Sequence, residues 1–369
     1  MRIAITHDYL NQFGGAERVL KTLIEMFPEA DLYTLLYDKE KTNGIFEGKV
    51  KGTSFLDMPG VKSRHRAFIP LMPLATALMK PKEKYDLVIS STAGYGKGIK
   101  IKAPYHISYC HSPLRYAWEI DYLKNLPFSP WPLSHYVSHP IAHLLRNWDR
   151  KAAQNVNFFI ANSDFIASKI RAYYGRDAVT VYPPVDTKTF YLEPETKQKD
   201  YYLMVGRLLY YKGFDWGILA FNQLRKPLKI VGRGPELEKL KKLAKSPLIE
   251  FVSNNPKDSE LRKIYNEAKA LIFPQIEDFG LVAAEAQACG LPVIAFDQGG
   301  GREIVEHKKT GILFNQEQSP EAIAKAVREF ENFHFNRKAI AKSAERFSKE
   351  NFKKNFLAAA ERFGFKLAS

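Results

Sequence analysis

Cysteine is almost missing from this 369-residue chain. Cys110 and Cys289 lie far apart, with neither a CxxC nor a Cys/His spacing, so a disulfide framework is excluded and a structural zinc site disfavoured. Long apolar runs are also lacking. A membrane span needs about 20 residues, and the longest candidate, Ala67 to Met79, is interrupted by Pro70 and Pro73. The opening Met-Arg-Ile-Ala-Ile-Thr-His-Asp has no long apolar centre of the signal-peptide kind. The expectation is a protein kept in a reducing cytoplasm. Acids are under-represented: 40 Asp and Glu face 55 Lys and Arg, a formal net charge of +15. Residues 61–115 concentrate the excess, with ten Lys/Arg against two acids, Glu83 and Asp86. A basic surface seeks phosphate, whether in nucleic acid, anionic lipid or a phosphorylated substrate. No RNP, KH or zinc-finger signature supports the first, and Phe68 is the one aromatic between 61 and 84.

What is present is a strand–helix rhythm that occurs twice. Hydrophobic residues make up 45% of the chain, enough for two cores. Strands are expected at 2–6, Tyr85–Ser90, Tyr105–Cys110, Val156–Ile160 and Val179–Tyr182. A helix carries Ala16, Val19, Leu20 and Leu23 on one face, and Ser163 and Gly175 bracket another over 164–174. Pro183-Pro184 breaks the pattern and opens a polar stretch to Lys199, read as a linker. Strands then resume at Tyr201–Val205, Leu228–Val231, Ile249–Val252, Leu271–Phe273, Val293–Phe296 and Gly311–Phe314. Such alternation gives parallel sheets covered on both faces. Ser348, with Phe347 and Phe352 as a hydrophobic staple, starts a last helix.

Four segments carry candidate chemistry. In Glu277-Asp278-Phe279-Gly280-Leu281-Val282-Ala283-Ala284-Glu285, a loop follows an apolar strand and opens a helix. Amides around Phe279, Gly280 and Leu281 at that helix start suit a phosphate. Glu285, just over one turn in, can accept two hydrogen bonds from a ribose diol; taken alone, both acids also read as ordinary partners of the helix dipole. In Gly206-Arg207…Lys212-Gly213, Arg207 offers a planar fork and Lys212 a compact charge, both able to face a diphosphate; a solvated basic loop is the commoner fate. Gly14-Gly15 resembles a phosphate-binding turn without the full GxGxxG spacing. His111, in Tyr109-Cys110-His111-Ser112-Pro113-Leu114-Arg115-Tyr116-Ala117-Trp118, sits where a strand ends, with a structural role about equally open to it.

Together these segments resemble glycosyltransferase family 4 from Met1 to the last helix. The carboxyl half is the more specific part, through Gly206-Arg207…Lys212-Gly213, Glu277…Glu285, Gly299-Gly300-Gly301…Glu303 and Thr310-Gly311. The opening His7-Asp8-Tyr9…Gly14-Gly15-Ala16-Glu17-Arg18 and the stretch from His111 to Trp118 look like bacterial O-antigen and capsule mannosyltransferases. The resemblance implies an α/β protein of two Rossmann-like doubly wound domains facing a central cleft, the GT-B fold. It implies an acceptor-side domain over 1–186, a nucleotide-sugar domain over 187–345, and a last helix, 346–369, packing back on the first. The expected activity is a retaining, metal-independent hexosyl transfer, mannose from GDP-mannose or alternatively a UDP-sugar, to a lipid-linked acceptor in lipopolysaccharide or other surface-polysaccharide synthesis. Arg207 and Lys212 would hold the diphosphate, Glu285 the ribose, and Glu277 with the Phe279–Leu281 amides the sugar hydroxyls and distal phosphate. Gly14 and Gly15 would let their loop approach the diphosphate, and His111 would touch the transferred sugar. No cofactor and no metal is implied, since the Asp-x-Asp of the other large transferase fold is absent. Arg302 departs from the family's frequent proline before Glu303. An epimerase or phosphorylase on the same architecture, or a basic nucleic-acid-binding protein, accounts for fewer of these residues. Basic residues around the short apolar segment 64–84 predict either reversible association with an anionic membrane surface or packing inside the first domain.

Overall fold

The computed structural model describes residues 1–121, 134–253, 256–315 and 317–365, with backbone alone for 134–137. The chain divides into two compact units, Met1–Tyr182 completed by the residues from Lys353 onward, and Pro183–Phe352.

The first unit is built on a seven-stranded sheet: β1 (Ile3–His7), β2 (Asp31–Thr34), β3 (Val50–Gly52), β4 (Leu87–Thr92), β5 (Tyr105–Cys110), β6 (Phe158–Ala161) and β7 (Ala178–Thr180). Its order is β3-β2-β1-β4-β5-β6-β7, with every pairing parallel. All residues of β1 and β4 are buried. Successive side chains point to opposite faces, so the sheet is covered on both sides, as βαβ crossovers require. β2 and β3 were not among the expected strands. β2 has only two apolar residues, Leu32 and Tyr33, and β3 is a three-residue edge strand with no fully buried side chain. Neither offers a periodicity to read.

The second unit repeats the plan with β8 (Tyr202–Val205), β9 (Leu228–Val231), β10 (Ile249–Val252), β11 (Ala270–Phe273), β12 (Val293–Phe296) and β13 (Gly311–Phe314), in the order β10-β9-β8-β11-β12-β13. These pairings too are all parallel. In each sheet the strand order reverses once, between β1 and β4 and between β8 and β11. Loops leaving the carboxyl ends of those strands part to opposite sides, and the crevice between them is where open α/β sheets bind ligands.

Pro183 to Val185 belongs to the second unit because the Val185 N–H donates to the Phe347 carbonyl (2.7 Å), bridging Val185 to Ser348. Ser348 then starts the helix Lys349–Arg362, its Oγ accepting the Asn351 N–H at 3.2 Å, with Phe347 and Phe352 both buried. That helix begins in the second unit and ends in the first, where buried Phe356 lies against Phe27 and Tyr109. Residues 366–369 of the expected helical segment lie outside the described residues.

Candidate functional site

In the second unit the candidate residues gather at the reversal between β8 and β11. The loop after β8 runs through Gly206 and Arg207 into a 3-10 turn, Tyr210–Lys212. Gly213 follows in the left-handed region (φ 66°), where a Cβ would stand 2.8 Å from the Trp216 ring and 3.0 Å from Pro274. The loop after β11 carries Gln275 and Glu277. Lys212 Nζ and Glu277 Oε1 form an ion pair, their side chains only 14% and 16% exposed, and Gln275 Nε2 lies 3.4 Å from the same oxygen. Sequence reading treated Lys212 and Glu277 as separate ligand contacts; the structure makes them partners. Arg207, five residues before Lys212 in the same loop, is exposed.

Gly280 caps the helix Leu281–Ala288 in the left-handed region (φ 98°), with the Phe273 ring 2.7 Å from where a Cβ would be. A glycine cap has no side chain of its own to accept from the first-turn amides, and the positive end of the helix lies toward the loop. Glu285 is 7% exposed on that helix, and Phe279 is buried edge-on against Phe347.

Two further glycine pairs support these loops by close approach. The Gly300 N–H donates to the Glu277 carbonyl at 2.9 Å. A Cβ on Gly299 or Gly300 would collide with the Glu277 or Phe279 carbonyl. Likewise a Cβ on Gly232 or Gly234 would collide with the carbonyl of Gly206 or Leu208, and Leu208 N–H donates to the Arg233 carbonyl at 2.8 Å. The Gly232-x-Gly234-Pro235 pattern after β9 was overlooked in the sequence, although Gly-x-Gly-Pro behind an apolar strand signals such an approach. Arg302 is 70% exposed and sits 3.6 Å from Asp297, in the short helix Gly300–Ile304.

In the first unit Gly14 precedes the helix Gly15–Met26 with an extended backbone (φ −129°), so its glycine serves space rather than handedness. Its N–H donates to Glu17 Oε2 at 2.7 Å. Glu17 is buried beside His7, whose Nε2 lies 3.7 Å from Oε1, an electrostatic contact longer than a hydrogen bond. Burial pulls the Glu17 carboxyl upward, but His7 and the Gly14 N–H hold it below the ordinary range. His111 follows β5, nearly buried, with Nε2 2.8 Å from Ser91 Oγ, its N–H on the Thr92 carbonyl and its carbonyl accepting from Asn162. The His7 and Tyr109 rings meet it edge-on at 6.4 and 5.2 Å. Asp8 binds the loop after β4: its carboxylate accepts from Thr92 Oγ1 (2.7 Å) and from the amides of Ala93 and Gly96. Lys97, next along, is buried in an ion pair with Asp149, which also accepts from Trp118 Nε1 and the Tyr174 hydroxyl, each at 2.8 Å. Asp8, Ser91 and Asp149 carried no pattern by which their partners could be read.

The segment 61–84 both packs and presents. Ile69, Met72, Ala75 and Met79 are buried, while Leu71, Leu74 and Leu78, three and four residues apart on one face, are 43%, 50% and 60% exposed. Phe55 and Met58 are exposed as well. Among the described residues no helix is long and apolar enough to cross a membrane.

Residues 13–189 match the model of Glycosyltransferase Family 4 and residues 187–353 that of Glycosyl transferases group 1. An uncharacterized glycosyltransferase of Haemophilus influenzae is 40% identical over 129 residues, 33% of this chain and 36% of its own. A GDP-mannose-dependent alpha-(1-6)-phosphatidylinositol monomannoside mannosyltransferase of Mycobacterium tuberculosis is 30% identical over 224 residues, 53% of this chain and 58% of its own. The alignments thus span about a third to three-fifths of these relatives. Sucrose-phosphate synthase from Thermosynechococcus elongatus superposes with a TM-score of 0.71 over 98% of this chain and 99% of its own, at 17% identity. Anabaena Alr3699/HepE, solved in complex with UDP, gives 0.67 over 98% of this chain and 100% of its own, at 18% identity. These likenesses identify the two parallel-sheet domains as the GT-B fold.

Proposed function

The chain belongs to glycosyltransferase family 4, and from that premise we propose that it transfers mannose from GDP-mannose, with retention and without a metal, to a lipid-linked acceptor in surface-polysaccharide synthesis. The observation that carries the donor half is the Lys212–Glu277 pair at the β8/β11 reversal, beside a helix start whose cap is glycine. A leaving nucleoside diphosphate gathers negative charge as the glycosidic bond breaks. Lys212, Arg207 and the Phe279–Leu281 amides are fixed donors for that charge, each of a kind contributing about 3 kcal/mol to a transition state. Glu277 serves the sugar hydroxyls, and buried Glu285 the ribose diol. Gly14 and Gly15 open the Glu17-braced helix start of the first unit to phosphate, and His111, oriented by Ser91, serves the transferred sugar. The Glu277 carboxylate is engaged by Lys212 in this arrangement. A same-face displacement assisted by the leaving phosphate is therefore preferred over a covalent sugar–enzyme intermediate.

GDP-mannose is favoured by the mannosyltransferase-like segments and by the mycobacterial relative's stated donor. The UDP held by the Anabaena neighbour keeps a UDP-sugar as the second reading. The membrane side rests on the exposed Leu71, Leu74 and Leu78 face amid the basic residues of 61–84. It makes the protein peripheral on the cytoplasmic face. Donor hydrolysis across GDP- and UDP-sugars, with EDTA and with Arg207→Ala and Lys212→Ala, is the test. The reading expects turnover of GDP-mannose that survives chelator and falls about 30- to 1000-fold in either variant. Turnover within a few-fold of wild type in both variants removes the donor assignment.

A further inference from the structure

Beside the edge strand β3 the first unit carries a groove of about 460 Å³. Phe55, Leu78 and Met79 line it, and fully buried Ala75 forms its floor. Lys51 and Lys80, both exposed, line it as well, with Glu83 the one acid among the lining residues. Two apolar side chains are thus left in water where burying them would be favourable: Phe55 is 48% exposed and Leu78 60%. The cations are only loosely compensated. Lys51 lies 3.8 Å from Asp31, a carboxylate already bound to Arg2 and the Tyr85 hydroxyl, and Lys80 has no ion-pair partner among the described residues. An apolar trough with ammonium groups alongside complements one kind of ligand, a single hydrocarbon chain ending in an anionic headgroup.

We propose that this groove takes the hydrocarbon chain of the lipid-linked acceptor, with Lys51 and Lys80 meeting its phosphate; the proposal rests on the lipid-acceptor reading above. The groove differs from the general apolar face. Leu71 and Leu74 belong to that face and do not line the groove, Phe55 lines the groove, and Leu78 is shared by both. A groove and a face respond differently to chain length. Each methylene buried in the groove tightens binding by up to about fourfold, the equivalent of about 0.8 kcal/mol, until the groove is filled.

The test is calorimetric titration of the full chain with butyl to decyl phosphate below their micelle concentrations, beside decanol and inorganic phosphate. Affinity is expected to climb with chain length. Phe55→Ser and Leu78→Ser should weaken decyl phosphate at least tenfold, while Leu71→Ser and Leu74→Ser leave it unchanged. Lys51→Gln with Lys80→Gln should bring decyl phosphate down toward decanol. A flat chain-length series, or equal losses in all four serine variants, overturns the groove. Sedimentation with phosphatidylcholine vesicles, with and without phosphatidylglycerol, separates the two readings. Salt-sensitive binding to the anionic vesicles without chain-length dependence in the titration refutes the groove and leaves the membrane reading standing. Absence of both refutes them together.

Discussion

Replacing Glu277 by Gln should move nucleotide binding and turnover in opposite directions. In the structure the Glu277 carboxylate neutralises Lys212, and both side chains are largely withdrawn from water. The amide of Gln keeps the shape and removes the charge, so the site meets an incoming diphosphate with one more net positive charge. At a separation of roughly 6 Å and an effective dielectric of about 20, a unit charge is felt with about 3 kcal/mol. Counter-ions and residual solvent reduce this to about 1–2 kcal/mol. Free GDP or UDP should therefore bind about five- to thirtyfold more tightly to Glu277→Gln. Sugar transfer should fall, because the hydroxyl contacts assigned to the carboxylate are weakened, by about 2–3 kcal/mol in kcat/KM. Lys212→Ala should lower both quantities. The assay is calorimetry with the free diphosphate, read beside steady-state transfer, at two salt concentrations; the gain in affinity should shrink at the higher one. Weaker diphosphate binding by Glu277→Gln, with the fold intact, would falsify the view that the two residues are electrostatic partners competing with the ligand.

Gly300→Ala places a methyl group against the Phe279 carbonyl and should displace the Glu277 loop, costing nucleotide affinity at least tenfold while circular dichroism stays native. Asp149→Ala strands the buried Lys97 ammonium and releases Trp118 and Tyr174, and should destabilise the first unit by about 3–5 kcal/mol in urea unfolding. His65 and His106 are held down to about 4, by burial first and then by Arg66 and Lys97 respectively. Both are neutral in the fold and take up protons more readily when it is lost. Their contribution is complete above about pH 6.5 and is lost as pH falls toward 4, by up to about 2 kcal/mol per histidine between pH 7 and 5. His106→Gln should flatten that part of the stability–pH curve, and an unchanged slope in both His65→Gln and His106→Gln refutes the assignment.

The second unit was the more legible from sequence because its candidate loops are written in local patterns. Strand, glycine, basic residue and helix follow one another between Tyr202 and Leu224, and strand, acidic residues, glycine and helix between Ala270 and Ala288. What the chain order could not show is that Lys212 meets Glu277, since that pairing depends on β8 lying beside β11. Gly232 and Gly234 were overlooked for a similar reason: the backbone they admit, Gly206 to Leu208, is distant in sequence. In the first unit, polar residues inside strands gave no sign of their partners. Ser91 bonds His111, and Asp8 bonds the loop after Thr92, only because β4 is flanked by β1 and β5. Segment 61–84 held two expectations open because proline-broken helices have no clean period; in the structure the helix Met72–Leu78 buries Met72, Ala75 and Thr76 and leaves Leu74 and Leu78 exposed.

The helix Lys349–Arg362 has a consequence for synthesis. The first unit begins at Met1, yet the Phe356 ring that fills its core beside Phe27 and Tyr109 comes near the end of the chain. Between Tyr182 and Lys353 the ribosome must produce the whole second unit. At about 5–20 residues per second this takes roughly 10–35 s. During that interval the earlier half carries an unfilled apolar seam, while the later half already has all six of its strands in hand by Phe314. The half that is translated first is thus completed last, and a ribosome stalled or a chain cut between the two units leaves a fragment with Phe27 and Tyr109 uncovered.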